Sequence, residues 1–257
     1  MKMIYDLQKA GMLKRISAYI LDVILLLIVI TGVAWGLSEV FNYDSYVEKL
    51  ENIYESYETE YGIDFDISQE EFAALGAEEQ NLYEEVNRLM NENEEAIEAY
   101  NMSINLALII ASISILIGYF LLEFIVPVIL KNGQTVGKKV FGIALMRQDG
   151  VRITNLMLFT RTILGKCTVE TMIPAYILIM IILGSLGMIG TVILFGIALL
   201  QVALIATSRT NSAIHDMMAA TVAVDIQSQM IFDSTEELIA YKNKLQAENA
   251  ARDGYIS

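Results

Sequence analysis

Ile16-Ser-Ala-Tyr-Ile-Leu-Asp22-Val-Ile-Leu-Leu-Leu-Ile-Val-Ile-Thr-Gly-Val-Ala-Trp-Gly-Leu37 is a run of 22 residues with a single charge, Asp22. As a helix it is long enough to cross the hydrocarbon core of a bilayer, which takes about 20 residues. A carboxylate at such a place costs roughly 2.5–3.5 kcal/mol on insertion scales, so it faces protein partners or a water-filled path rather than lipid. The stretch sets two expectations: an integral membrane protein, and a polar task inside the membrane. Lys2, Lys9, Lys14 and Arg15 precede the run. Its length and its aspartate distinguish it from a cleavable signal peptide, so it is expected to remain as an anchor.

Composition agrees. The 257 residues are 55% hydrophobic with a mean hydropathy of +0.49, a combination rare in soluble domains. Cys167 is the only cysteine, so no internal disulfide forms. The net charge of −14 is unevenly spread. Residues 39–103 carry 19 acidic and 2 basic side chains, and the rest of the chain is mildly basic.

A second apolar span runs from about Ser103 to Leu130, with Glu123 its only charge and Lys131 directly after it. From Thr171 to Ser208 there is no charge at all over 38 residues. That length fits two short crossings of about 17 residues each, with Gly184, Ser185 and Gly187 forming the turn. One span plus a re-entrant piece is the alternative. Fifteen of the 17 basic residues lie before the first span, in segment 131–166, at Arg209 or in the tail. Four crossings put all of these in the cytoplasm and the acidic segment outside. Three crossings would put the tail on the opposite face. The expected organisation is therefore a cytoplasmic N-terminus and first span (1–38), an acidic extracytoplasmic helical domain (39–102), a second span (103–130), a cytoplasmic loop with an interfacial helix (131–166), a two-span hairpin (167–208) and a cytoplasmic C-terminal segment (209–257). The fold class is an all-α integral membrane protein. It comprises a four-helix transmembrane bundle, a helical insertion and a small cytoplasmic β-sheet.

In the outer segment, tyrosines 46, 54, 57 and 61 suit a helix with one apolar stripe over Asp44 to Tyr61. Ser68 and Glu71 form a capping-box pattern ahead of a short helix to Leu75. Glu78 to Tyr100 reads as one further helix. Asp64, Asp66, Ser68 and Glu70 alternate like a calcium loop but lack its glycine and its closing glutamate, so a solvated acidic turn is expected.

The inner loop opens Lys131-Asn-Gly-Gln-Thr-Val-Gly-Lys-Lys139. Three residues separate Gly133 from Gly137 and Lys139 stands where a hydroxyl is needed, which excludes a phosphate loop. A structured turn at the membrane edge is expected, its lysines facing anionic lipid heads. Val140–Met146, a return at 151–153 after Asp149-Gly150, and 220–226 are candidate strands. Asn155 to Lys166 has the pattern of an amphipathic helix lying in the interface. Ser234 and Glu237 cap a final helix.

Arg15 and Asp22 are seven residues apart and share a helix face, which suggests a pair. Asp22 lies about 9 Å from the inner end of its span and Glu123 about 10 Å from the inner end of its own, at 1.5 Å per residue. Matched depth on antiparallel spans suggests one inner-leaflet polar site. Pro127 cannot bond the carbonyl of Glu123, so that oxygen is a candidate cation ligand beside a carboxylate. A simple kink is as good an account. His215, the only histidine, adjoins Asp216, which has Arg15 and Arg161 as candidate partners. His215-Asp216 alone lacks the further ligands zinc takes, and no catalytic constellation is apparent, so no enzyme, metal or cofactor is expected.

These segments also carry a family likeness. Arg15-Ile-Ser-Ala-Tyr-Ile-Leu-Asp22, the loop Gly133-Gln-Thr135-Val-Gly137-Lys138-Lys-Val-Phe-Gly142 and the stretch His215-Asp216-Met-Met-Ala-Ala-Thr221 resemble, in order, three motifs of the RDD family. The resemblance gives Arg15, Asp22 and Asp216 the positions for which that family is named. Val136 departs from the proline expected after the threonine. The likeness implies a multi-pass membrane protein suspected of transport. Two functions remain open: passage of a cation, proton or small solute through an inner-leaflet cluster of Arg15, Asp22, Glu123, Asp216, His215 and Arg161, or a non-transporting scaffold or adaptor in which the same charges lock the helices and the outer acidic domain binds a partner. With four spans and no internal repeat, a transporter is expected to be a homo-oligomer. The bilayer is the expected partner, in a cell membrane, and nucleic acid is not.

Overall fold

The computed structural model describes residues 7–208 and 210–254. Arg209, used above for orientation, and Lys2 lie outside them. Among the described residues, four helices are long and apolar enough to cross a membrane: α1 (Met12–Phe41), α5 (Glu94–Leu130), α7 (Asn155–Ile182) and α8 (Gly187–Thr207). Between α1 and α5 lie α2 (Tyr43–Tyr61), α3 (Gln69–Ala74) and α4 (Ala77–Glu92). Between α5 and α7 come α6 (Val136–Val140) and strand β1 (Ile143–Arg147). After α8 come α9 (Ile214–Met218), strand β2 (Thr221–Asp225) and α10 (Thr235–Gly254). The chain is an all-α membrane protein with, among the described residues, one two-stranded sheet. It divides into two compact units, Thr31–Ser114 and the remainder.

In the larger unit, α1 buries Ala18, Asp22 and Leu26. Their spacing of four puts them on a single stripe. Most of the other large apolar side chains of α1 are exposed, as Leu27 and Ile28 show, which suits contact with lipid chains. Leu26 meets Tyr119 of α5 and Cys167 of α7, so three spans converge on one apolar cluster. Gly184 at φ +72° and Gly187 at φ +47° turn the chain from α7 into α8.

β1 and β2 are antiparallel, with Leu145 opposite Ala223. Alternate side chains pack on opposite faces: Ile143 and Leu145 join Ala10 and Ala18, whereas Ala144 and Met146 join Val222 and Val224. The sheet is thus covered on both sides. Two expectations are corrected here. The return segment at 151–153 forms only isolated bridges, Met146 to Arg152 and Val151 to Phe232, because Val151 packs under Leu238 of α10 instead of extending a ladder. The interfacial helix at 155–166 is no separate element. It is the first part of α7, continuous to Ile182.

In the smaller unit, Ser68 caps α3 with a complete capping box. The helix expected over 78–100 is broken at Asn93. The Asn93 side chain accepts from the N–H of Ala96 at 3.0 Å and donates to Tyr57 Oη at 3.2 Å, which ends α4 and starts α5. Phe65 packs on Tyr54 and Tyr83, and Phe72 on Tyr83, a half-buried aromatic cluster. Asp64 Oδ1 accepts from the N–H of Asp66 at 2.8 Å, a local turn.

Candidate functional site

Asp22 meets the glycine-rich loop. Its Oδ1 accepts from the Gly137 N–H at 2.7 Å and its Oδ2 from Thr135 Oγ1 at 2.5 Å. Thr135 is also the N-cap of α6, accepting from the Lys138 N–H at 3.2 Å. Gly133 (φ +60°) and Gly142 (φ +67°) stand on either side of this turn. Only glycine fits at 137, since a Cβ there would lie 2.2 Å from the Ala18 carbonyl oxygen. The loop therefore closes on the buried stripe of α1.

This corrects the expected Arg15–Asp22 pair. Seven residues along a helix is about 10 Å, too far for a short aspartate to reach. Arg15 turns instead to the Asn211 carbonyl at 2.9 Å, and its Nη2 lies 3.8 Å from Asp216. Asp216, 1% exposed, also accepts from Arg161 Nε at 2.8 Å and Thr221 Oγ1 at 3.1 Å. Burial alone would raise the Asp216 carboxyl, but Arg161, His215 and Arg15 overcome it and hold it well below the usual carboxylate range.

Glu123 sits in a π-helical stretch of α5, Phe120–Ile125. Its Oε1 accepts from Lys166 Nζ at 2.6 Å, while its buried Oε2 has no hydrogen-bond partner. The carbonyl that Pro127 frees is not open to a cation, because Thr162 Oγ1 donates to it at 2.9 Å. A hydroxyl on the neighbouring helix thus satisfies the backbone oxygen. Asp22 and Glu123 do not touch. Both are buried, and the Lys138 ammonium stands in the field of both.

Lys138 differs from expectation too. It is 8% exposed, whereas Lys131 and Lys139 are exposed on the same loop. Its Nζ donates to Thr135 Oγ1 at 3.2 Å. Burial pushes its ammonium down to about 8, with the Glu123 carboxylate pulling the other way.

Sequence reasoning passed over Thr162, Lys166, Glu170 and Gln201. Glu170 accepts from the His215 N–H at 2.9 Å and lies 2.7 Å from His215 Nδ1. Burial, then Arg161, lowers the pKa of His215. The signal for these residues is spacing. Arg161, Lys166 and Glu170 are separated by five and four positions, and Thr160–Met172 is π-helical. Bonding from i to i+5 brings residues five apart towards one face, which an α-helix does not do. Gly165 allows α9 to approach: a Cβ there would lie 2.6 Å from that of His215.

Together these groups surround a cavity of about 480 Å³, lined among others by Asp22, Lys138, Arg161, Lys166, His215 and Asp216. Glu123 lies behind the wall, joined to it through Lys166. Among the described residues, no group of three or more His, Cys, Asp or Glu is placed to hold a metal ion. The model of the RDD family matches residues 9–220, which takes in the first span, the loop and the His215-Asp216 stretch. No curated protein and no solved structure matches the chain.

Proposed function

We propose, for a chain that belongs to the RDD family, that the polar cavity passes a cation, proton or small polar solute across the membrane. The supporting observation is the cavity itself: about 480 Å³ of space walled by charged groups from α1, α6, α7 and α9. Sites for small molecules typically have this size, with a few convergent polar groups. A bare metal cation would first have to displace Lys166 from Glu123 or Thr135 from Asp22. A proton, or a solute with its own donors and acceptors, needs no such exchange and fits better.

The distribution of lysine and arginine supports cytoplasmic termini and an acidic unit outside the cell. Four spans supply few walls for a pathway, so the working form is proposed to be a homo-oligomer. No reaction on the solute is proposed, and the protein is taken to be a carrier rather than an enzyme. The test is flux into proteoliposomes across a panel of cations and pH gradients, for wild type, Asp22→Asn and Glu123→Gln. Transport predicts folded variants with reduced flux, and unchanged flux in both would refute it. One observation favours a scaffold instead: Asp22, Glu123, Glu170 and Asp216 all have partners within the fold. A scaffold predicts no flux even in wild type and loss of assembly in the variants.

A further inference from the structure

We propose that the cavity receives the anionic headgroup of an amphiphile, a phosphoryl or carboxyl group held by Lys138 and Arg161, with its chain leaving past α1. This rests on the cavity being the binding site of the transport function above. The wall's charges are unequally matched. Asp22 and Glu170 each have both carboxylate oxygens engaged by donors or facing His215. Asp216 is enclosed by Arg161, Thr221 and Arg15. Lys138, by contrast, donates its ammonium only to the neutral Thr135 hydroxyl: Glu123 and Asp22 act on it through their field, and no carboxylate lies at ion-pair distance among the described residues. A buried charge calls for a counter-charge. Arg161 commits its Nε to Asp216, and a guanidinium has further donors in the same plane. The wall therefore offers unpaired donors, Lys138 above all, to an anionic ligand.

The mouth shows why the anion carries a chain. Residues that line a cavity yet stay exposed mark its rim. Here they are Met12, Ile16 and Tyr19, which are 57%, 43% and 61% exposed and belong to the spanning helix α1. A free inorganic anion in water gains nothing from an apolar rim. An alkyl chain does, at about 0.8 kcal/mol for each buried methylene.

Protein purified in neutral detergent is offered equimolar dioleoyl phosphatidic acid and dioleoyl phosphatidylcholine, and retained lipid is counted by native mass spectrometry. Wild type is expected to retain the acid with a preference of about tenfold, or 1.4 kcal/mol. Lys138→Met should lose the preference and Lys138→Arg should keep it. Tyr19→Ala, which trims the apolar rim at an exposed position without adding a charge to the span, should also weaken retention. Equal retention of the two lipids by wild type overturns the proposal. So does a preference that survives both Lys138→Met and Tyr19→Ala, or inorganic phosphate displacing the lipid at equal concentration. Flux separates the two ideas. Selective retention without transport in proteoliposomes removes the transport function alone, and transport without retention removes the headgroup site alone.

Discussion

Glu123 and Glu85 are both helical glutamates paired with a cation at 2.6 Å, yet the Glu123 side chain is 5% exposed and that of Glu85 54%. The contacts have the same length and different consequences. At Glu85 water competes with Arg88, and such pairs add little to stability. At Glu123 the fold has removed the water, so Lys166 must replace it. The acidic unit 31–114 carries its charge as a solvated coat around a half-buried aromatic cluster, while the larger unit places a few charges inside apolar helices. Location therefore separates two kinds of charge here: 19 acidic residues crowd one segment, whereas only three carboxylates, Asp22, Glu170 and Asp216, line the cavity.

Several substitutions would break or sharpen this contrast. The largest effect is expected from Arg161→Ala, which strips Asp216 of its closest cation and should cost about 3–5 kcal/mol in unfolding. Lys138 comes next, through pH. Its folded pKa, about 8, lies below the unfolded value of 10.5, so between these values the unfolded chain binds the extra proton and stability rises with pH. The full gain is about 3 kcal/mol at 1.36 kcal/mol per unit, and Lys138→Met should abolish the rise in a chemical-unfolding series. Headgroup retention should fall as the pH passes about 8, where the folded chain loses the ammonium. Gly137→Ala pushes a methyl group into the Ala18 carbonyl, with an expected loss of about 1–3 kcal/mol. Thr162→Val leaves the Glu123 carbonyl without its donor and should cost about 1 kcal/mol. At the other end of the scale, Arg88→Ala in the acidic unit should leave the Tm unchanged within error. A marked drop there would mean that exposed pairs matter as much as buried ones, and the contrast would fail.

Much of this was legible in the sequence because lipid imposes simple demands. Long apolar runs announced the spans, and lone charges within them announced Asp22 and Glu123. The RDD motifs identified the loop, and space explains one of its glycines: residue 137 touches the α1 backbone. What could not be read was the partner of each charge. Arg15 passes over Asp22 to reach Asp216, 201 positions away in sequence, and nothing local encodes that choice. The π-helical course of Thr160–Met172 hid Lys166 and Glu170, because amphipathic patterns are judged against an α-helical period. Asn93 split a helix that looked continuous by periodicity, through side-chain bonds to Ala96 and Tyr57.

The central claim is that a polar cavity lies within the apolar spans. Gln201 and Val202 are neighbours on α8, but Gln201 lines the cavity while Val202 is 65% exposed on the outer surface. The only native thiol, Cys167, is fully buried and contributes little background. Gln201→Cys and Val202→Cys, each in sealed proteoliposomes, can be treated with a membrane-impermeant thiol reagent from either side, since reaction requires the thiolate and therefore water. The account predicts modification of the cysteine at 201 from one side and none at 202. Modification at 202 with none at 201, or equal rates at both, would contradict it.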